Sequence, residues 1–366
     1  IPLNLVAVPL GELAALPLCL LHGVLAPVPV LEHWVAQAAG GALRLVDALA
    51  AIGSRFEGFE LPPPTPLEST VLIVTCAAAL HFRENRRALY ATLMAATMVV
   101  GFAEVSARAG PGVLRVTFLD VGQGDSAVIE TPHGSVIVID GGGLVGSPTD
   151  IGKRVLLPFL KARRLRKVSL VVLSHPHPDH FGGLAAGLRG SQVAAVWDSG
   201  LGRKEGVKGG YQLWLSNMEF QHSVMTPLSE ICGEHVLDGV RIEVLAPCPV
   251  FATDRSANDN SIVLRVSYGN RSVLFVGDAE HEEESELLRQ EPRKLSADVL
   301  KVGHHGSRTS TSPAFLAAVA PQVAVISCGV RNRFGHPYPT TLETLERART
   351  HLFRTDRSGS VTIESD

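Results

Sequence analysis

The sequence predicts an α/β domain of mixed sheets covered by helices, preceded by α-helical segments that span a membrane. From Leu114 onward, short runs of β-branched residues alternate with turns and helical stretches, an order typical of sheets with helices on their faces. Before Ala109 the chain is strongly apolar, which explains a hydrophobic content of 46% in the whole chain. We therefore predict a membrane-associated part over residues 1–108 and a separate domain over residues 109–366.

Three segments of the first part resemble membrane helices in length and composition. The segment 2–31 is interrupted by prolines, which is tolerated where neighbouring helices satisfy the freed backbone groups. The segments 67–82 and 88–105 are apolar over about the shortest spanning length, roughly 17 residues. A pair of buried helices of a soluble protein is the alternative. Residues 33–59 mix apolar and charged side chains, so an interfacial helix and a bundle helix both fit.

The loop 83–87 sets the predicted orientation of the chain in the inner membrane. It is rich in arginine, and the positive-inside rule places such a loop in the cytoplasm. The segment 88–105 then leads out of the cytoplasm, so the domain that follows lies on the extracytoplasmic side. Because the chain begins with Ile1 instead of Met, we also expect that an N-terminal part is missing.

The second part alternates predicted strands with predicted helices. Its strands are read from β-branched runs bounded by turn residues, and its helices from apolar spacing of three to four residues. The predicted strands are 114–119, 126–130, 135–139, 170–173, 193–197, 241–245, 262–266, 272–276, 298–302, 323–327 and 360–363. The predicted helices are 151–162, 280–289, 313–319 and 341–350.

Residues 174–180, the His-rich loop, are the most informative stretch of the sequence. The loop directly follows the strand 170–173 and holds three histidines, one aspartate and two prolines. Imidazole nitrogens and carboxylate oxygens suit zinc, manganese or iron, and the prolines stiffen the backbone that presents them. The alternative is a His-rich surface loop without a ligand, but matching groups recur behind other predicted strands.

Further acidic and imidazole groups stand at the ends of other predicted strands. Asp140, Asp278 and the pair His304-His305 each follow an apolar strand, and each stands beside glycine. A single aspartate after a strand is usually a turn or a helix cap. Together with the His-rich loop, however, these groups provide what a metal site at the rim of a sheet requires.

The order of these groups along the chain resembles the metallo-β-lactamase superfamily, through Asp140, His175-x-His177-x-Asp179-His180, Asp278 and His304. Within that superfamily, three motifs look like the C-terminal domain of ComEC-type DNA-uptake (competence) proteins: residues 118–126, 303–307 and 334–337. The resemblance implies an αββα sandwich with a two-metal site at one edge. It also implies that the preceding helices are the end of that family's channel domain.

The resemblance assigns the ligands of two divalent metal ions, Zn²⁺ or Mn²⁺. By position in the motif, His175 and His177 would hold the first ion. The second ion would be held by Asp179, His180 and His304. Each of these groups lies behind a predicted strand, so the implied site agrees with the strand-end pattern.

Two further aspartates and one further histidine complete the implied site. Asp278 would bridge the two ions, and Asp140 would orient the ligands without touching the metal. The sequence leaves open whether His304 or His305 is the ligand; we favour His304, which is nearer the strand end.

The chain departs from the superfamily at one position. Another histidine usually stands between the His-rich loop and the bridging aspartate, but that interval holds only His222 and His235. Neither follows a strand within a glycine-flanked motif. Residues 258–261, a polar set before a strand, are a weak substitute, so we expect the first metal to bind weakly.

Other residues are assigned by their place beside the motif. We give catalytic roles to Asp179 and Asp278, because two ions ~3.5–4 Å apart activate water and suit phosphodiester cleavage. His336, on a Gly-His-Pro loop, either donates to a phosphate or leaving group or stabilises a turn. Asp120 and Asp125 lie in a Gly-rich turn, where they either support the ligands from behind or serve the turn itself.

Basic residues near the histidines bear on the substrate. Arg308, Arg331 and Arg333 flank the histidine loops and are candidates to neutralise phosphates. The net charge of −3 does not indicate broad attraction to nucleic acid. An aromatic content of 5% gives no evident platform for stacking bases.

Our leading hypothesis is a metal-dependent nuclease domain attached to a membrane channel that takes up single-stranded DNA in transformation and degrades the other strand. The residues indicate the metal hydrolase, whereas the resemblance implies the DNA, the membrane channel and partner proteins that deliver DNA. Two alternatives stay open: a hydrolase of a small ester or phosphate, and a non-catalytic module that guides DNA, which the missing histidine favours.

The cysteines add one conditional expectation. Cys232 and Cys248 can form a disulfide if the domain lies outside the cytoplasm, although their spacing alone does not decide it. No cysteine stands near the predicted ligands, which argues against a thiolate metal site.

Overall fold

The computed structural model describes residues 4–54, 65–82, 84–108, 112–143 and 150–365. The chain divides into two compact units, Ile1–Pro62 and Pro63–Asp366. The boundary that we predicted between residues 108 and 109 therefore falls inside the second unit. It stays a prediction of where the membrane-associated part ends.

The first unit is helical and exposes many apolar side chains. Two stretches, Val6–Val24 and Pro29–Ile52, are long and apolar enough to cross a membrane. The second stretch overlaps the segment 33–59, which we predicted to be an interfacial or bundle helix. Its length favours a helix that spans the membrane. Residues 55–59 of that segment lie outside the described residues. The helices are α1 (Asn4–Leu10), a π-helical turn (Gly11–Ala15), α2 (Leu16–Val24) and α3 (Pro29–Ser54).

The second unit begins with two apolar helices, α4 (Pro66–His81) and α5 (Arg86–Arg108), as predicted for these segments. A capping box between Thr65 and Glu68 starts α4 by satisfying backbone donors of its first turn. Large apolar side chains on both helices are exposed, among them Leu80 (76%) and Phe102 (76%). This exposure argues against the alternative of buried helices in a soluble protein.

The remainder of the second unit is an αββα sandwich, which confirms the predicted fold class. Each of its two sheets has seven strands, in the orders β14-β1-β2-β3-β4-β5-β6 and β13-β12-β11-β10-β9-β8-β7. The strands are β1 (Leu114–Phe118), β2 (Ala127–Glu130), β3 (Val136–Ile139), β4 (Lys167–Leu173), β5 (Gln192–Asp198), β6 (Val224–Thr226), β7 (Gly233–Leu237), β8 (Val240–Ala246), β9 (Val263–Tyr268), β10 (Arg271–Phe275), β11 (Val299–Lys301), β12 (Val323–Ile326), β13 (His351–Arg354) and β14 (Val361–Ser365).

Helices flank the two sheets, most of them on the outer faces; the helix Leu228–Ile231 instead places Leu228 and Ile231 in the core between the sheets. They are α6 (Leu157–Ala162), α7 (Pro178–Phe181), α8 (Leu184–Gly187), α9 (Leu201–Lys204), α10 (Gly210–Phe220), α11 (Leu228–Ile231), α12 (His281–Gln290), α13 (Pro313–Val319), α14 (Pro339–Arg347) and α15 (Thr355–Ser358). A π-helical turn (Gly152–Leu156) precedes α6, and 3₁₀ turns lie at Asn258–Asn260, Pro292–Lys294 and Gly303–Gly306.

An apolar core fills the space between the two sheets. The rings of Phe118 and Phe275 meet across it with their centroids 5.6 Å apart, and both side chains are buried. Burying a side chain of this size stabilises the fold by roughly 1.5–3 kcal/mol. Each sheet also packs against its helices through one further apolar layer. This layer includes Trp214 at the sheet that contains β4 and Phe315 at the sheet that contains β11.

Three strands and one long helix were not predicted. The strands β6, β7 and β13 all lie at sheet edges, where side chains are half exposed and the apolar signal is weak. The helix α10 begins at a glycine and carries exposed Leu213 and Phe220, so its apolar spacing is blurred.

Parallel strands bring the predicted site residues together. In one sheet β3, β4 and β5 run parallel, and in the other β10, β11 and β12 do. The loops that follow their carboxyl ends carry Asp140, the His-rich loop, Asp278 and the pair His304-His305. The side chains of these loops meet at one edge of the sandwich.

Candidate metal centre

Four side chains from three segments form a compact group at this edge: Asp179, His180, Asp278 and His305. Asp278 Oδ2 lies 3.2 Å from His180 Nε2 and 3.4 Å from His305 Nε2. His305 Nε2 lies 3.5 Å from Asp179 Oδ2. Four donors of this kind around one point form a candidate metal site.

The distances between these atoms, and the burial of several of them without hydrogen-bond partners, fit a divalent ion. Ligands at ~2.0–2.1 Å from a tetrahedral zinc lie roughly 3.3 Å from one another, close to the observed separations. His180 Nε2, His305 Nε2 and Asp278 Oδ1 are buried and lack a hydrogen-bond partner within the described part of the protein. Buried polar atoms without a hydrogen-bond partner are costly, and a cation bound among them would offset that cost.

Asp140 lies behind the group, beside His180, which fits the orienting role that the sequence predicts for it. Its Oδ2 lies 2.8 Å from His180 Nδ1, which directs His180 Nε2 toward the centre. The same carboxylate accepts hydrogen bonds from the backbone N–H (2.8 Å) and the hydroxyl (2.7 Å) of Ser174. On the opposite side, His305 Nδ1 lies 3.0 Å from the carbonyl of Ser327. Partners of this kind fix the tautomer and the ring orientation of a metal-ligating histidine.

The backbone is strained where it presents these groups. Asp140, His304 and His305 have positive φ values of 58°, 44° and 54°. Each such residue costs of order 1–3 kcal/mol, and such strain is concentrated at functional sites. Gly124 is required for close packing, because a Cβ at this position would lie 2.3 Å from the carbonyl oxygen of Asp179.

Histidines and carboxylates of the group shift one another's pKa values. Burial alone would lower the pKa of His180, but the carboxylates of Asp278 and Asp140 outweigh it and raise the pKa well above its usual value. Burial alone would raise the pKa of Asp278, but His305 and His180 hold it well below its usual range. Protons on the histidines thus balance the carboxylates, and a metal cation would take over that role on binding.

The histidines predicted for the first ion lie beside this group. His175 Nε2 is 3.0 Å from His177 Nδ1 and 3.9 Å from Asp278 Oδ2. Burial, with His180 nearby, lowers the pKa of His175 well below its usual value, so its ring is neutral as a ligand must be. In the described ranges, neither His175 nor His177 belongs to a group of three or more ligating side chains.

The candidates for a third donor differ in position. His235 Nε2 is 2.8 Å from the carbonyl of Ile231, and its ring packs on Trp197, so it is engaged away from the loop. His222 lies in the turn after α10. Within 258–261, the hydroxyl of Ser261 is 3.4 Å from His175 Nδ1 and accepts a hydrogen bond from the backbone of Asp278. Ser261 thus supports the first pair without supplying an imidazole.

His305 belongs to the group of four side chains, whereas His304, which the sequence favoured as the ligand, does not. His305 is 1% exposed and faces Asp179 and Asp278, whereas His304 is 23% exposed at its side chain. His304 Nδ1 is bonded to Glu280 at 2.8 Å, and its Nε2 lies 3.8 Å from Asp278 Oδ2. The left-handed backbone at both histidines turns the side chain of His305 toward the carboxylates, although His304 is nearer the strand end. The geometry therefore favours His305 as the ligand.

A buried ion pair beneath the centre includes a residue that the sequence analysis missed, Lys301. Its ammonium group pairs with Asp125 and donates to the carbonyl of Gly277 at 3.0 Å. Asp125 Oδ1 is also 3.2 Å from His305 Nδ1, a contact that fits one of its two predicted roles, support of a ligand from behind. The available signal was a lysine inside the otherwise apolar strand β11.

Asp120 is not among the four side chains of the candidate centre. Its side chain is exposed and accepts a hydrogen bond from the backbone of Gly122 at 3.2 Å. Its own N–H donates to the hydroxyl of Ser360 at 3.0 Å. Asp120 therefore serves the turn, the second of the two roles that the sequence left open.

His336 lies beside the histidines of the centre, and the three arginines are exposed. The ring centroid of His336 is 5.4 Å from that of His304 and 6.2 Å from that of His305. Burial, with both histidines nearby, lowers the pKa of His336 to about 4. The exposed arginines are Arg308, whose guanidinium lies 5.6 Å from the Tyr338 ring centroid, Arg333 and Arg331.

Cys232 and Cys248 form a disulfide in the second unit. The bond joins the start of β7 to the segment after β8, which leads toward Ser261. The pairing that was conditional in the sequence is therefore present in the structure.

Two family profiles match the chain. The profile described as the metallo-beta-lactamase superfamily matches residues 119–330, and the profile described as competence protein matches residues 1–86. The first covers the sandwich from β2 to β12 and all four residues of the candidate centre. The second covers the N-terminal helices up to the start of α5.

Several curated proteins are similar in sequence. ComE operon protein 3 of Bacillus subtilis is 32% identical over 276 residues, which is 67% of this chain and 32% of that protein. Competence protein ComA of Neisseria gonorrhoeae is 31% identical over 366 residues, 98% of this chain and 47% of that protein. Recombination protein 2 of Haemophilus influenzae is 31% identical over 262 residues, 68% of this chain and 28% of that protein. The chain thus spans less than half the length of each.

Proposed function

Because the chain belongs to the ComEC-type competence proteins, with a domain of the metallo-β-lactamase superfamily, we propose that this domain is a metal-dependent nuclease. It would cleave DNA beside a membrane channel and degrade the strand that is not taken up. The observation that carries the proposal is the compact group of Asp179, His180, Asp278 and His305. In the described ranges His180 Nε2 and His305 Nε2 are buried without a hydrogen-bond partner, and both face the carboxylate of Asp278. Exposed arginines on the segments next to the histidines of the group suit a phosphodiester substrate.

Different residues would hold the two metal ions and orient their ligands in such a reaction. One ion would be held by Asp179, His180, Asp278 and His305, and a second, weaker one by His175 and His177 with Asp278. When bound, divalent ions lower the pKa of water and stabilise charge on phosphoryl oxygens. Asp140 keeps the Nδ1 proton of His180, so that its Nε2 remains free for the metal.

His336 and three arginines, on the segments that follow His305 and on the loop 329–338, would bind the DNA backbone. Arg308, Arg331 and Arg333 are exposed, and their guanidinium groups can pair with phosphates on either side of the bond to be cleaved. The ring of His336 faces the histidines of the centre and is placed to donate a hydrogen bond to a phosphate oxygen.

A nuclease assay tests this proposal. We expect the full chain in lipid nanodiscs to cleave a single-stranded oligonucleotide with Mn²⁺ or Zn²⁺. Asp179→Ala and Asp278→Ala should each lower the rate by at least ~10²-fold, since both remove a ligand. The control Asp254→Ala changes an exposed aspartate and should leave the rate unchanged.

The outcomes separate the proposal from its alternatives. Equal rates in wild type and both ligand variants contradict a nuclease at this centre. Turnover of a small phosphate ester without cleavage of DNA favours the small-substrate hydrolase. DNA binding by a chain that retains no metal favours the non-catalytic guiding module.

We further propose that the domain lies outside the cytoplasm. The disulfide between Cys232 and Cys248 supports this side, because such bonds persist in oxidising compartments and are rare in the cytosol. The arginine-rich loop at residues 83–87 supports the same orientation through the positive-inside rule.

Thiol labelling checks the orientation. In a chain with Cys19, Cys76 and Cys328 replaced by serine, a membrane-impermeant maleimide should label intact spheroplasts only after an impermeant reductant is added. Labelling that requires lysis of the spheroplasts would place the domain in the cytoplasm.

A further inference from the structure

An exposed aromatic ring stands beside the candidate centre, on the loop 329–338, which we call the aromatic loop. Phe334 is 45% exposed, although large apolar side chains usually avoid water. The ring of His336 is stacked beside it at 26°, with the centroids 5.8 Å apart. The guanidinium of Arg333 lies 4.9 Å from the centroid of the same ring. The exposed ring therefore lies between the centre and a cation.

Hydrogen bonds to one side chain fix the shape of the aromatic loop. Asn332 Oδ1 accepts from the backbone N–H groups of Phe334 (3.2 Å) and His336 (3.0 Å). Asn332 Nδ2 donates to the carbonyls of Gly329 (2.9 Å) and His336 (2.6 Å). Because these four bonds close the loop on itself, the position of Phe334 is set before any ligand binds, which reduces the entropy cost of binding.

The aromatic loop is also fixed to the turns of the centre. The N–H of Tyr338 donates to the carbonyl of Gly306 at 2.8 Å. Gly306 has no side chain where Pro337 packs, since a Cβ there would lie 2.6 Å from the Cβ of Pro337. At the other end, the N–H of Gly329 donates to Gln123 Oε1 at 3.3 Å. The loop thus keeps a set distance from the turn that carries His305.

We propose that Phe334 is a stacking platform for one base of a single strand of DNA whose phosphate lies at the centre. Two successive ring contacts, of 5.8 Å and 6.2 Å, lead from Phe334 through His336 to His305, so a base next to the cleaved bond can reach Phe334. This inference rests on the proposed nuclease function and specifies its substrate.

The chemistry of the platform selects single strands without reading their sequence. Every base has an apolar face that stacks on an aromatic ring, but in a duplex these faces are covered by neighbouring base pairs. Arg333 and Arg331 are exposed, so their guanidinium groups can turn to the phosphates on either side of the stacked base. The platform would therefore hold unpaired DNA of any sequence near the centre.

Binding of two matched oligonucleotides tests the platform. One is ordinary single-stranded DNA, and the other has the same length and phosphates but abasic sites throughout. In the full chain in nanodiscs, with Asp278→Ala to prevent cleavage, adding Phe334→Ala should weaken binding of ordinary DNA by about 5- to 150-fold, the range for one lost stacking contact. Binding of the abasic strand should not change, and Phe334→Trp should restore affinity for ordinary DNA.

The control variant is Phe220→Ala, which removes another exposed phenylalanine (85%), on α10. It should leave binding of both strands unchanged. Equal weakening of both strands by Phe334→Ala, or no weakening of either, overturns the platform. Cleavage by the chain with an intact Asp278 is measured in parallel: if neither strand is cleaved, the nuclease proposal fails, while the comparison of affinities still decides the platform.

Discussion

Replacing His305 with alanine should lower DNA cleavage by more than ~10²-fold, whereas replacing His304 should lower it by about 10-fold or less. Loss of a residue that only supports a ligand typically costs 10–100-fold, and loss of the ligand itself costs more. His305 Nε2 is buried, has no hydrogen-bond partner in the described part of the chain and faces two carboxylate oxygens within 3.5 Å. His304 Nδ1 is already bonded to Glu280.

The two histidines form a matched pair of variants, because they are neighbours in one turn and both have left-handed backbone. Turnover of a single-stranded oligonucleotide by the full chain in nanodiscs distinguishes them. A larger loss in His304→Ala than in His305→Ala would return the ligand role to His304, which the sequence alone favoured.

Replacing Lys301 with methionine should destabilise the domain by about 3–5 kcal/mol, since it leaves Asp125 buried without its counter-charge. Lys301 is 4% exposed, on the side of β11 that faces the core between the sheets. For a domain of this size the loss corresponds to a fall of roughly 6–20 °C in the midpoint of thermal unfolding. Near-ultraviolet circular dichroism of the full chain in detergent measures it.

A second substitution distinguishes lost charge balance from lost packing. In the double variant Lys301→Met with Asp125→Asn, no unpaired charge is left, so more than half of the lost stability should return. Lys294→Met is the surface control: this lysine is 42% exposed at its side chain, and its ion pairs contribute at most about 1 kcal/mol. A Lys301→Met chain as stable as wild type would show that Asp125 needs no counter-charge.

The rim of the sandwich could be predicted because apolar strands and polar strand ends are local signals. Asp140 and Asp278 follow such strands directly, so the sequence alone indicates where they lie. The choice between His304 and His305 was not evident, because it depends on a left-handed turn that reverses which side chain faces inward. Lys301 was hidden for another reason: in a β-strand, a single lysine among apolar residues does not reveal the carboxylate that it will meet.

The position of the aromatic loop could not be predicted from the sequence either. The low aromatic content suggested no stacking platform, because composition describes only the average of the chain. One exposed ring suffices when hydrogen bonds from Asn332 and contacts at Gly306 fix it beside the centre. Such placement arises from contacts between distant segments, to which sequence periodicity is insensitive.

The metal content of the purified full chain tests the account most directly, measured after dialysis for wild type, His304→Ala and His305→Ala. We expect about one tightly held ion per chain in wild type and His304→Ala, and a second only with excess metal, because His175 and His177 lack a third imidazole. His305→Ala should lose the tightly held ion. A wild-type chain that binds no metal, or a His305→Ala chain that retains as much as wild type, would contradict the centre described.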